Sequence, residues 1–197
     1  ILPTEKARAR VAQKSEAPGG VPLAPLANAA VVAHVPVHRG GRAVREFIAA
    51  LARVPGGPPP RALRGGRVVL HGMPPETPLT TEYSEGLVAL GRARLHWEWC
   101  ASAEHLPSII KVTKRHPAVR FVLDNLCLPH DGGESEGFAQ WASHMEKFAE
   151  CENLVGVKIC GIEEWGVSDP QPYIKWALRV FGFGRCMAGS NWFVCET

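Results

Sequence analysis

The chain has 197 residues, 46% of them hydrophobic and 21% charged, which fits one globular domain with a sizeable core. A formal charge of +3 is too weak a balance to signal a nucleic-acid surface. No run approaches the roughly 18–20 uninterrupted apolar residues that a membrane-spanning helix requires.

Residues 1–29 stand apart. ILPTEKARARVAQKSEAPGGVPLAPLANA has no sustained period and several breakers, and reads as an extended Pro/Ala-rich arm. The domain proper is expected over 30–197. There, short apolar runs rich in β-branched residues alternate with amphipathic stretches. The runs are Val31–Val37, Arg67–His71, Arg94–Trp99, Arg120–Leu126, Leu154–Cys160 and Arg185–Gly189. Each is bounded by Gly, Pro, Asn or charge, as buried parallel strands are. Between them, Val44, Phe47, Ile48 and Leu51 share one helical face, and a shorter helix is expected over Glu82–Leu90. Leu106, Ile109, Ile110 and Thr113 form a further stripe, followed by Phe138, Trp141, Met145 and Phe148, then by Tyr173, Trp176, Ala177 and Phe181. Six strands and five helices in alternation predict an α/β fold built from right-handed β-α-β units. The pattern alone leaves a doubly wound sheet and a (β/α) barrel open. The six cysteines form no C-x-x-C pair and read as small buried hydrophobes in a reducing compartment.

Three motifs near the C-terminus choose between the folds. HPAVRFVLDNLCLP, then FAQWASHMEKFAECENLVGVKICGI, then FGFGRCMAGSNWFVC agree in order and spacing with a family pattern. That pattern runs HP-x-x-x-FVLDHLGKP, NV-x-x-KISGL and FG-x-x-R-x-MFGSDWPV. Upstream, LRGGRVVLHG and the segment from Gly86 to Pro117 fit it as well, so the match covers roughly residues 30–195. The chain thereby resembles the amidohydrolase-related family, in its fuconolactonase-like and pyrone-dicarboxylate-lactonase-like branch. The resemblance implies an incomplete (β/α)8 barrel in which the six runs are the third to eighth strands, with the first two strands and the last helix lacking.

The resemblance also implies where chemistry is expected. The family carries an H-x-H pair on its first strand, whose two imidazoles lie about 7 Å apart on one face and can share a metal. No H-x-H occurs in this sequence, and His34 and His38 would stand about 13 Å apart on an extended strand. The family's LDH becomes Leu123-Asp124-Asn125, and its GSDWP becomes Gly189-Ser190-Asn191-Trp192-Phe193. Asn125 cannot be protonated, and Asn191 replaces a carboxylate base with an amide of essentially no basicity. Arg64, Arg67 and Glu98 match family positions that resemble a site for a substrate carboxylate, and read here as a remnant, more readily a leftover ion pair than a working site. Asp124 is expected to cap or orient a neighbouring loop, Cys127 to pack, and Lys158 to have no assignable role. Trp97, Trp99, Trp165 and Trp192 read as core or interface anchors. No catalytic residue, bound metal or cofactor is expected.

The expected function is therefore that of a non-catalytic, amidohydrolase-like accessory subunit of a larger protein assembly, whose other subunits cover the open barrel edge. Ile1 in place of Met and the Ala- and Arg-rich start point to a mitochondrial location, with the cytoplasm as the alternative. Two other readings stay open. One is a divergent metal-independent lactonase with Glu98 or His71 as base. The other is a module in which Arg64 and Arg67 hold a small anion.

Overall fold

The structure, a computed structural model, describes residues 30–53, 62–129, 135–165, 167–191 and 194. The arm expected over 1–29 lies outside the described residues, as do Trp192 and Phe193.

Six strands form one sheet. They are β1 (Val31–His34), β2 (Leu63–Val69), β3 (His96–Cys100), β4 (Phe121–Leu123), β5 (Leu154–Ile159) and β6 (Cys186–Ala188). Their order in the sheet is their order in the sequence, and every pair is parallel. A doubly wound sheet reverses its strand order partway. This one does not, so it is an arc of a (β/α) barrel, with six of the usual eight strands among the described residues.

Five helices pack on the outside of the arc. α1 (Gly40–Leu51) buries Val44. α2 (Thr81–Arg92) is capped by Thr80, whose hydroxyl accepts from the Tyr83 amide at 3.3 Å, and it buries Tyr83, Leu87 and Leu90 at helical spacing. α3 (Leu106–Arg115) has Pro107 in its first turn, where a missing N–H costs nothing. α4 (Ser135–Ala149) and α5 (Gln171–Phe181) face each other through Phe138, Trp141 and Tyr173. α5 stops where Gly182 turns left-handed at φ 73°.

The core lies between the strands and these helices. β3 shows the division most plainly: Trp97 and Trp99 point outward into it, while His96, Glu98 and Cys100 point into the barrel. Trp99 stacks on Phe121 and on Tyr83, and its indole N–H donates to Thr113 at 3.0 Å. The core roles expected of Trp97, Trp99 and Trp165 agree with their burial.

Four strands differ from expectation by two residues or more at an end. β1 stops at His34, because Val35 and Pro36 lead into a 3-10 turn at Val37–Arg39. β2 starts at Leu63 rather than Arg67 and is over before His71; its Gly65-Gly66 pair, which weakens a strand signal, lies inside it. β3 begins after Arg94, whose φ of 58° ends any extended pairing there. β4 is three residues long, since Asn125, Leu126, Cys127 and Leu128 all take positive φ.

Candidate functional site

Register determines which side chains meet inside the barrel. Arg67 on β2 pairs in register with Glu98 on β3, Glu98 with Val122 on β4, and Val122 with Gly156 on β5. Lys158 lies two residues further along β5, and Asp124 just past the end of β4, on the same inner face one level up.

Four charged groups and His96 close into one network there. Lys158 Nζ lies 2.7 Å from Glu98 Oε2 and 2.8 Å from Asp124 Oδ1. Arg67 Nη1 lies 3.3 Å from Asp124 Oδ2, and His96 Nε2 lies 3.2 Å from Glu98 Oε1. Both carboxylates are buried, Glu98 at 3% exposure and Asp124 at 2%. Each of their four oxygens has a nitrogen within 3.3 Å, Lys158 Nζ serving one on each carboxylate. Gly65 makes the arrangement possible, because a Cβ there would collide with the His96 ring.

Burial acts unequally on the two acids. Burial pushes the Asp124 carboxyl up and the Glu98 charge adds to it, against the pull of Lys158 and Arg67. Glu98 resists its burial and is held below its ordinary range by His96 and Lys158. Burial opposes the charge on Lys158, yet the two carboxylates raise its pKa. Cys100, on the same inner face, is pushed up to about 11 by burial and by the Asp124 charge, so it is a neutral thiol at physiological pH. Burial raises Cys127 further still, in keeping with a packing role; its thiol donates to the Ser102 carbonyl at 3.1 Å.

A second cluster lies where β4, β5 and β6 end. Asn125 (φ 50°), Gly161 (φ 65°) and Asn191 (φ 51°) are all left-handed, which turns the three strand-end loops toward one another. A Cβ on Gly161 would come within 2.5 Å of Asn125 Nδ2 and 3.1 Å of Asn191 Nδ2. The two asparagines singled out in the sequence therefore flank one glycine. Asn125 Oδ1 accepts from the Cys160 thiol at 2.9 Å, and Asn191 Nδ2 donates to Glu164 Oε1 at 2.9 Å.

The structure sorts the expected remnant residues. Arg67 and Glu98 belong to the inner network, joined through Lys158 and Asp124. Arg64 does not: it lies where the β1–β2 register shifts, and among the described residues no ion pair joins it to the inner carboxylates. Asp124 precedes the 3-10 turn at Asn125–Cys127 but makes no side-chain cap there, because its carboxylate is taken by Arg67 and Lys158. Lys158, given no role from the sequence, is the centre of the network. A lone lysine within LVGVKIC was the available signal, since an ammonium in an apolar strand needs carboxylate partners. His71 sits two residues past β2, where burial lowers its pKa.

A family model described as Amidohydrolase matches residues 28–197. Among solved structures, an amidohydrolase from Burkholderia multivorans with bound zinc is 22% identical, with a TM-score of 0.70 over 85% of this chain and 60% of that one. Amidohydrolase 2 from Bifidobacterium longum subsp. infantis is 25% identical, with a TM-score of 0.54 over 70% of this chain and 50% of its own. A probable 2-pyrone-4,6-dicarboxylic acid hydrolase from Acinetobacter baumannii, with citric acid bound, is 15% identical, with a TM-score of 0.57 over 82% and 57%. The chain thus spans 60% of the first of these structures. No curated protein matches it. The residues here do not fit a divalent metal. Among the described residues no three His, Cys, Asp or Glu side chains are grouped to hold one, and the paired carboxylates of the inner network already face nitrogen on every oxygen.

Proposed function

Because the chain belongs to the amidohydrolase family, we propose that it is a non-catalytic member which acts as an accessory subunit of a larger protein assembly, in the mitochondrion or otherwise in the cytoplasm. One observation carries the non-catalytic half of the reading. The strand-end loops bring the Asn125 and Asn191 side chains together at Gly161, and both present amides. Hydrolysis needs a group there that accepts a proton from water, and an amide cannot. The carboxylate at this cluster, Glu164, accepts from Asn191 Nδ2, and Glu98 and Asp124 are buried and committed to Lys158, Arg67 and His96.

The subunit half draws on the inner face and the sheet edges. Among the described residues β1 pairs only with β2, and β6 only with β5. Val69 and Met187 are 48% and 41% exposed. Open strand edges and bared apolar side chains call for a cover.

The test of the non-catalytic half is turnover. The purified chain is expected to hydrolyse none of a panel of sugar lactones, pyrone carboxylates and simple cyclic esters above the uncatalysed rate. Turnover that Glu98→Gln or Asn191→Ala abolishes would refute it.

A further inference from the structure

We infer that the Lys158 ammonium is the resident cation of the inner face: it supplies, from within the chain, the positive charge that two buried carboxylates require, and by doing so closes that position to a divalent metal. The argument is one of charge and distance. Glu98 and Asp124 bring two negative charges to a place almost closed to water. Two such charges need compensation close by. Lys158 Nζ stands between them, within 2.8 Å of one oxygen of each. The remaining oxygens face Arg67 and His96. Two cations thus balance two anions with no oxygen left over.

The position is also built to receive the lysine. Lys158 reaches Glu98 across β4, and the residues beneath its path are Val122 and Gly156. The space beside Gly156 is filled by Met187, whose methyl would meet a Cβ there at 2.6 Å. A metal at this point would have to displace the ammonium, and the carboxylates around it already face Lys158, Arg67 and His96.

The experiment measures metal content and melting temperature, and so is independent of any turnover assay. The wild-type chain, dialysed against zinc or manganese, is expected to take up none at this position, and its Tm should be unchanged by either metal or by a chelator. Lys158→Met should melt about 5–15 °C lower, because it leaves two buried carboxylates facing each other. Zinc at about 100 times its Kd should then raise the Tm of that variant by about 5–10 °C. The double variant Glu98→Gln/Lys158→Met, which removes one charge of each sign, should recover most of the wild-type Tm and lose the response to zinc. This holds as a test even where Lys158→Met alone does not fold. Stoichiometric metal in the wild type that Glu98→Gln removes would overturn the inference. So would a Lys158→Met variant that melts like the wild type, or one that is destabilised but indifferent to zinc.

Discussion

At Lys158 one strand residue settles the electrostatics of the whole inner face. Its raised pKa has a consequence for stability that can be signed. A base whose folded pKa exceeds its unfolded value adds stability that is fully present below the unfolded value and is lost as pH climbs through the folded one. For lysine the unfolded value is 10.5, so the loss begins above that pH. The stability gap between the wild type and Lys158→Met should therefore be constant from pH 7 to about 10 and shrink above it. Urea unfolding of the two proteins at a series of pH values measures the gap directly. A gap that widens above pH 10.5 would contradict the raised value. The sequence held part of this. Arg67 and Glu98 were recognisable from the resemblance, whereas Lys158 and Asp124 become partners only once register sets β2, β3, β4 and β5 side by side. Arg64, matched by the same resemblance, stands apart from the network at the register shift between β1 and β2.

Elements were more legible than side-chain networks. All six strands and five helices stand out in the sequence, because apolar runs and helical stripes are local patterns. Their ends were not, since Pro36, Arg94 and the left-handed run from Asn125 to Leu128 act through backbone geometry that hydrophobicity does not record. Close approaches of backbone are equally silent. α2 meets the turn after β1 at Gly86, where a Cβ would collide with the Val37 carbonyl. Backbone on both sides leaves little room to yield. Gly86→Ala gains in helix propensity, by up to about 1 kcal/mol, but overpacking of this kind costs about 1–3 kcal/mol. The net effect is expected to be destabilising, whereas Gly184→Ala, with nothing near its Cβ, should be close to neutral. Thermal melts of both variants check the contrast, and a Gly86→Ala protein as stable as the wild type would mean that α2 is not seated as closely as this.

For the whole molecule, what matters is the arc's two outer edges. Parallel strands are normally covered on both faces and paired on both sides. Here the helices cover one face. The other carries a neutralised charge network at its centre and half-exposed Val69 and Met187 toward its margins. Among the described residues the outer edges of β1 and β6 have no strand beside them. The proposed subunit role follows from the need to cover these surfaces, and it sets a scale: a stable interface buries on the order of 1,000 Å² or more. The chain isolated natively should therefore run with other proteins at a mass well above its own 21.4 kDa. Separated from them, it should bind a hydrophobic dye or self-associate, because Val69, Met187 and the strand edges would then face water. Charge substitutions that test this belong on the inner margin: Val69→Glu should release the chain from its assembly while leaving its helical content unchanged, since Val69 already stands half in solvent. A native chain that is monomeric, binds no dye and keeps its mass unchanged by Val69→Glu would show that the arc is covered from within its own sequence, and the subunit role would fall.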